Sequence, residues 1–356
     1  RDYFKTVPAK YERGCRMKTK SVIAMTLVAL FSCFLISCKK DKGQVIELSY
    51  SVFFPPTHVQ CKAAVSWAQE IEKRTNGAVK INIFPGGTLT SANECYSGVI
   101  KGISDIGMSC FSYTKGRFPE MEAVDLPLGY RNGHMATFAA WEYYKAMKPK
   151  ELDDVKVLYI HAHGPGLLHA KKDIKKLEDI KGMKIRSTGL SASIVTVLGG
   201  TPVAMPQGET YESLQKGVVD ATFAPIETLK GWRQGEVVKS TTNCYSIGYT
   251  TAMFIVMNKA KWDALPEDVK KVFTEVNEEW VKVHAREWDT ADVEGKKFSD
   301  GLGNRYIELD EAEHGRWRAA VKPVISSYIA DKKKAGLQVQ KGIDFLQNYI
   351  RNYKEQ

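Results

Sequence analysis

Two successive runs of alternating strand-like and helix-like segments constrain this chain most. Residues 45–53 (VIELSYSVF) are rich in β-formers, and Pro55-Pro56-Thr57 closes them. Residues 58–74 then place Ala64, Val65, Ala68 and Ile71 at helical spacing and end at Asn76-Gly77. Residues 79–84 (VKINIF) alternate as a strand before the turn Pro85-Gly86-Gly87. A helix over 91–101 and a strand over 105–109 complete a β-α-β-α-β series, which calls for a mainly parallel sheet covered by helices. The second series has strands at 155–161, 183–186, 202–205, 219–223 and 249–258, with helices at 191–198 and 209–216. Two α/β units follow. After Leu265-Pro266-Glu267-Asp268, a helix-start signal, Val269, Val272, Phe273, Val276, Trp280 and Val283 recur at three- and four-residue steps toward Gly301. Gly295 is the one breaker in that run. Such a helix spans roughly 45 Å at about 1.5 Å per residue, too long for one domain layer, so it is expected to join the two units.

The 356 residues carry a formal charge of +10, which invites a nucleic-acid partner until the charge is located. Residues 1–37 hold seven basic and two acidic side chains, leaving 44 minus 39, or +5, from Cys38 onward. That part has no run of five like charges, and its aromatics do not interleave with Lys and Arg as a stacking face requires. Nucleic acid is therefore not an expected partner. The first Met is Met17; Lys18 and Lys20 precede an uncharged apolar run over 22–36 that ends Leu35-Ile36-Ser37-Cys38. This is a signal peptide in pattern, too short for a comfortable membrane span. Leu-Ile-Ser-Cys resembles the bacterial lipobox, which implies cleavage before Cys38 and acylation of its thiol, each buried CH₂ contributing about 0.8 kcal/mol. Residues 1–37 are read as upstream sequence plus lipoprotein signal peptide, and 38–44 as a lipidated tether. The body is then expected outside the cytoplasm, in the periplasm or an equivalent space, lipid-anchored. There Cys61, Cys95, Cys110 and Cys244 are able to pair, though Cys110 reads as a small buried hydrophobe.

Several stretches carry a family resemblance through their order and spacing. They are Phe84-Pro85-Gly86-Gly87-Thr88-Leu89, Gly102-Ile103-Ser104-Asp105-Ile106-Gly107, Val124-Asp125-Leu126-Pro127, Lys181-Gly182-Met183-Lys184-Ile185-Arg186, Gly200-Thr201-Pro202-Val203-Ala204-Met205-Pro206 and the run over 209–220. Together they resemble the solute-binding subunits of tripartite ATP-independent periplasmic (TRAP) transporters of the dicarboxylate type, over about 45–350. The resemblance implies a periplasmic-binding-protein-like clamshell of two α/β domains with a long domain-spanning helix. One domain would take 45–164 and 254–293, the other 165–253 and 294–356. It also implies a monomer, no cofactor, a small organic carboxylate as ligand and the transporter's membrane subunits as partners. The Arg of the Lys-Ile-Arg motif, here Arg186, would pair with the ligand carboxylate, consistent with a guanidinium's two parallel donors.

Further ligand-binding candidates sit at strand ends, where open α/β sheets place ligands. These are Phe53, Phe54 and His58, then Tyr113, then Gln207, Glu209 and Tyr211, and finally Phe223 and Ala224 before Pro225. Some relatives place Asn where this chain has Ala224, and an aromatic where it has Gln207. No second Arg stands out for a second carboxylate; His58 and Arg131 are the candidates. An aromatic or apolar monocarboxylate, such as an aromatic amino acid or 2-oxo acid, is therefore expected over a C4-dicarboxylate, which stays as the alternative. The competing enzyme reading is a zinc hydrolase on His161-Ala162-His163 and His169. It lacks further paired ligands, and no nucleophile elbow, Walker loop or dinucleotide fingerprint occurs. No catalytic residue and no metal is assigned.

Overall fold

β-Branched and aromatic runs become strands, and their polar, Gly- and Pro-rich boundaries become turns. In the computed structural model, which describes residues 45–354, the first half runs β1 (Ile46–Val52), α1 (Val59–Arg74), β2 (Val79–Phe84), α2 (Cys95–Ile100), β3 (Ile106–Cys110), α3 (Gly133–Met147) and β4 (Val155–Ala162). The chain continues through β5 (Leu167–Ala170), β6 (Lys184–Ser187), α4 (Gly189–Val197), β7 (Thr201–Ala204), α5 (Thr210–Gln215), β8 (Ala221–Ala224), α6 (Thr228–Gly231) and β9 (Ser240–Asn243). It closes with β10 (Ala252–Asn258), α7 (Lys259–Asp263), α8 (Glu267–Gly301), β11 (Arg305–Glu308), α9 (Glu311–Lys334) and α10 (Gln340–Asn352). The segment expected to be a signal peptide, Cys38 and the expected tether lie outside the described residues.

The strands form two sheets, ordered β2-β1-β3-β10-β4 and β11-β9-β5-β8-β6-β7. Each sheet with its helices is a lobe, giving the expected clamshell architecture. In the first sheet β1 pairs parallel with β2 and β3, whereas β10 runs antiparallel between β3 and β4. The strands at 155–162 and 252–258 thus belong to the first sheet, although they open and close the second sequence series. Both are buried along nearly their whole length: β10 lies between two strands, and β4, at the sheet edge, is covered by α3 and α8. In the second sheet β6 pairs parallel with β7 and β8, and β5 runs antiparallel to β8 and β9.

The long helix is 35 residues, about 52 Å at 1.5 Å per residue. It packs on α1, α3 and β4 of the first lobe and on α6 of the second. Trp67 of α1 is fully buried there, donating from Nε1 to Asn277 Oδ1 at 3.0 Å while meeting Phe273 edge-on. The chain also passes between sheets at 163–166 and 244–251. The C-terminus corrects one boundary: α10 packs on α3 of the first lobe, and Lys332 of α9 pairs with Glu122 at 2.6 Å. The stretch assigned to the second domain through 356 therefore ends against the first. The four described cysteines are free and buried. No helix among the described residues is long and apolar enough to cross a membrane.

Candidate functional site

The carboxyl ends of β1, β3, β4, β6 and β8 converge between the lobes on one cavity, the place where open α/β sheets bind ligands. Phe53, Phe54, Tyr113, Arg186, Gln207, Phe223 and Ala224 all line it. Arg186 extends from β6 and is 4 % exposed. Its Nε donates to Met205 O at 3.1 Å, and among the described residues no carboxylate lies within ion-pair distance of it. A guanidinium held this way has its outer donors left for a bound anion.

The charge of Arg186 is felt around it. Burial first, and the guanidinium second, hold His163 down to about 4, so it is neutral near pH 7. Burial raises the Tyr113 and Tyr249 hydroxyls and the Cys110 thiol, while Arg186 partly offsets each. Tyr113 accepts from Gln207 N–H at 3.1 Å, and Ser112 Oγ donates to Thr188 at 3.4 Å. Both bonds cross from lobe to lobe. The Gln207 side chain is 6 % exposed, and its Nε2 has no partner among the described residues.

His58 caps α1, its Nδ1 accepting from Gln60 N–H at 3.2 Å. It lies behind the wall and reaches the cavity through Glu227, whose Oε2 accepts from His58 Nε2 at 2.9 Å. This pair also joins the two lobes. Gly231 leaves room for it, since a Cβ there would stand 2.6 Å from Glu227 Oε2 and 2.7 Å from His58. Two expected residues lie elsewhere. Glu209 is exposed, and Tyr211 donates to Glu236 at 3.1 Å. Glu209 ends a 3-10 turn and Tyr211 lies in α5 just after it, and neither lines the cavity.

Sequence reasoning missed Trp232, Glu227, Tyr249 and Trp288, which also line the cavity. Glu227 and Trp232 follow Pro225 closely and were reachable from the strand-end rule. Trp288 comes from the interior of α8, which only the packing reveals. The histidines flagged for zinc have other work. His161 accepts from Trp288 Nε1 at 2.9 Å and stacks on His284, and His169 bonds Thr241 and Ala224 O. Among the described residues, no three His, Cys, Asp or Glu side chains are placed to hold a metal ion.

The cleft, the strand-end cavity and the buried arginine define a two-lobed solute receptor. The sequence matches the family described as bacterial extracellular solute-binding protein, family 7 (DctP), over residues 50–332, and the chain belongs to that family. It is 28% identical over 334 residues to the 2,3-diketo-L-gulonate-binding periplasmic protein YiaO of Escherichia coli (strain K12), covering 82% of this chain and 94% of YiaO. Among solved structures, it resembles a marine metagenome TRAP solute-binding protein specific for aromatic acid ligands, in complex with 3-hydroxybenzoate. The TM-score is 0.84 at 28% identity, covering 88% of this chain and 100% of that one. A TRAP solute-binding protein from Rhodoferax ferrireducens T118, with copurified benzoate, matches with TM-score 0.82 at 25% identity, covering 86% of this chain and 98% of that one.

Proposed function

We propose that this chain captures one small organic carboxylate with an aromatic or apolar body outside the cytoplasm and delivers it to TRAP membrane subunits. It is a receptor, not an enzyme. One observation carries the reading: a buried guanidinium without a carboxylate partner among the described residues faces a cavity walled by Phe53, Phe54, Tyr113, Phe223 and Trp232. The ligand carboxylate takes the two outer donors of Arg186, and an aromatic amino acid or 2-oxo acid lays its flat body along the rings. The structural relatives with 3-hydroxybenzoate and benzoate support the aromatic class.

A C4-dicarboxylate fits less well. Arg186 is the only Arg or Lys among the lining residues, and the other strongly charged group there is the carboxylate of Glu227. Titration calorimetry with benzoate, phenylpyruvate, indole-pyruvate, tryptophan, succinate and malate tests the choice. Heat from at least one aromatic acid is expected. Binding of succinate or malate alone overturns the reading. The membrane tether through Cys38 belongs to the same proposal, and an intact mass with Cys38 unmodified in membrane-extracted protein overturns that part.

A further inference from the structure

The cavity holds a second polar feature that carboxylate capture leaves unused. Glu227 is 2 % exposed and lines the cavity, and only its Oε2 is engaged, by His58 at 2.9 Å. The direction of that bond follows from the other ring nitrogen. His58 Nδ1 accepts from Gln60 N–H, so it carries no proton, and the ring hydrogen sits on Nε2. Nε2–H thus donates to a carboxylate with no Lys or Arg within ion-pair distance among the described residues, although Lys62 and Lys230 line a second pocket that Glu227 also borders. Its neighbour Asp292 brings no relief. Burial and the Glu227 charge raise the Asp292 carboxyl well above the usual range, and Asp292 Oδ1 accepts from Glu227 N–H at 2.9 Å. Oε1 of Glu227 has no hydrogen-bond partner among the described residues and is not among the fully buried unpaired atoms, so it keeps open surface and free acceptor capacity.

A continuous aromatic wall joins this group to Arg186. Tyr113, beside Gln207, meets the edge of Phe53 at 5.6 Å between centroids. Phe53 stacks with Trp232 at 6.0 Å, Trp232 lies 5.7 Å from His58, and Phe54 stacks on His58 at 4.4 Å.

We infer that the ligand is bifunctional: its carboxylate sits on Arg186, its flat body on the rings, and a hydrogen-bond donor at its far end sits on Glu227 Oε1. The donor is a phenolic hydroxyl or a protonated amine. This inference rests on the carboxylate-receptor reading and narrows it.

Matched pairs of acids test it by calorimetry on the full chain. The hydroxyl arm compares meta- and para-hydroxyphenylacetate with their methoxy counterparts. The ammonium arm compares para-(aminomethyl)benzoate with para-ethylbenzoate. In at least one pair the donor-bearing acid is expected to bind about ten-fold tighter or more, the effect of a hydrogen bond to a charged acceptor. In Glu227→Gln that within-pair ratio is expected to fall to about three-fold or less, whatever the absolute affinities. Acids that bind with ratios near one in the unmodified protein overturn the inference and leave the receptor reading standing. A ratio that survives Glu227→Gln also overturns it. If none of the acids binds, both readings fall.

Discussion

At the scale of single residues, Arg186 is a site held at the expense of stability. A guanidinium removed from water without a counter-ion is costly, and one hydrogen bond to Met205 O does not replace an ion pair. Arg186→Met keeps the volume and removes the charge. The substitution is expected to leave the ligand-free melting temperature equal or higher, while affinity for an aromatic acid falls by about 2 kcal/mol or more, roughly thirty-fold. Thermal melts with and without ligand measure both together; a lower ligand-free melting temperature with unchanged affinity would make Arg186 a structural residue. Arg186 was legible in the sequence because its motif travels with it, and Phe53, Phe54 and Tyr113 because strand ends are recognisable. Trp288 and Tyr249 were not legible, since an aromatic on a long helix or loop reads equally as core until the neighbouring lobe is seen.

At the scale of elements, legibility followed the contrast between faces. β1, β2 and α8 announce themselves because one face is apolar and the other polar. α3 does not, because Met135, Ala136, Thr137, Ala139, Ala140, Trp141 and Tyr143 are all buried and blur the helical period. β9 hides for another reason: Ser240, Thr241 and Thr242 are buried polar residues whose hydroxyls find partners distant in sequence, as with Ser240 Oγ on Lys172 O at 2.6 Å. α9 carries Pro323 in its interior, where a sequence reading would stop the helix. Gly295, the breaker that did not break α8, has a steric purpose. A Cβ there would stand 2.4 Å from Ile226 O and 2.9 Å from Glu227 Cα, both backbone. The helix thus sacrifices about 1 kcal/mol of propensity to press against the turn that carries Glu227. Gly295→Ala is expected to destabilise the protein by about 1–3 kcal/mol, against the gain Ala gives in an open helix. Chemical denaturation decides the sign, and stabilisation would show that the turn yields without cost.

At the scale of the whole molecule, the same turn meets the other lobe. His58 belongs to the first lobe and Glu227 to the second, and both side chains are essentially excluded from water by their contact. If the lobes separate, each is hydrated; when they meet, each depends on the other. The pair therefore acts on the equilibrium between separated and closed lobes, not on the folding of either. His58→Asn isolates that role. Asn is as good an N-cap as α1 can have, so the helix start is kept, but its side chain is too short to reach Glu227. Closing the lobes of the variant then buries Glu227 Oε2 without a donor, at a cost of about 1–3 kcal/mol. Apparent affinity is intrinsic affinity scaled by the fraction able to close, so binding should weaken about 5- to 150-fold. The loss should be equal for acids with and without a distal donor, which separates it from any direct contact of Glu227 with ligand. Small-angle scattering should show the variant reaching the same compact radius as the unmodified protein at saturating acid, only at higher concentration. An unchanged midpoint would mean that closure is carried instead by other lobe-to-lobe contacts, among them the Tyr113–Gln207 and Ser112–Thr188 bonds and the Phe53–Trp232 stack.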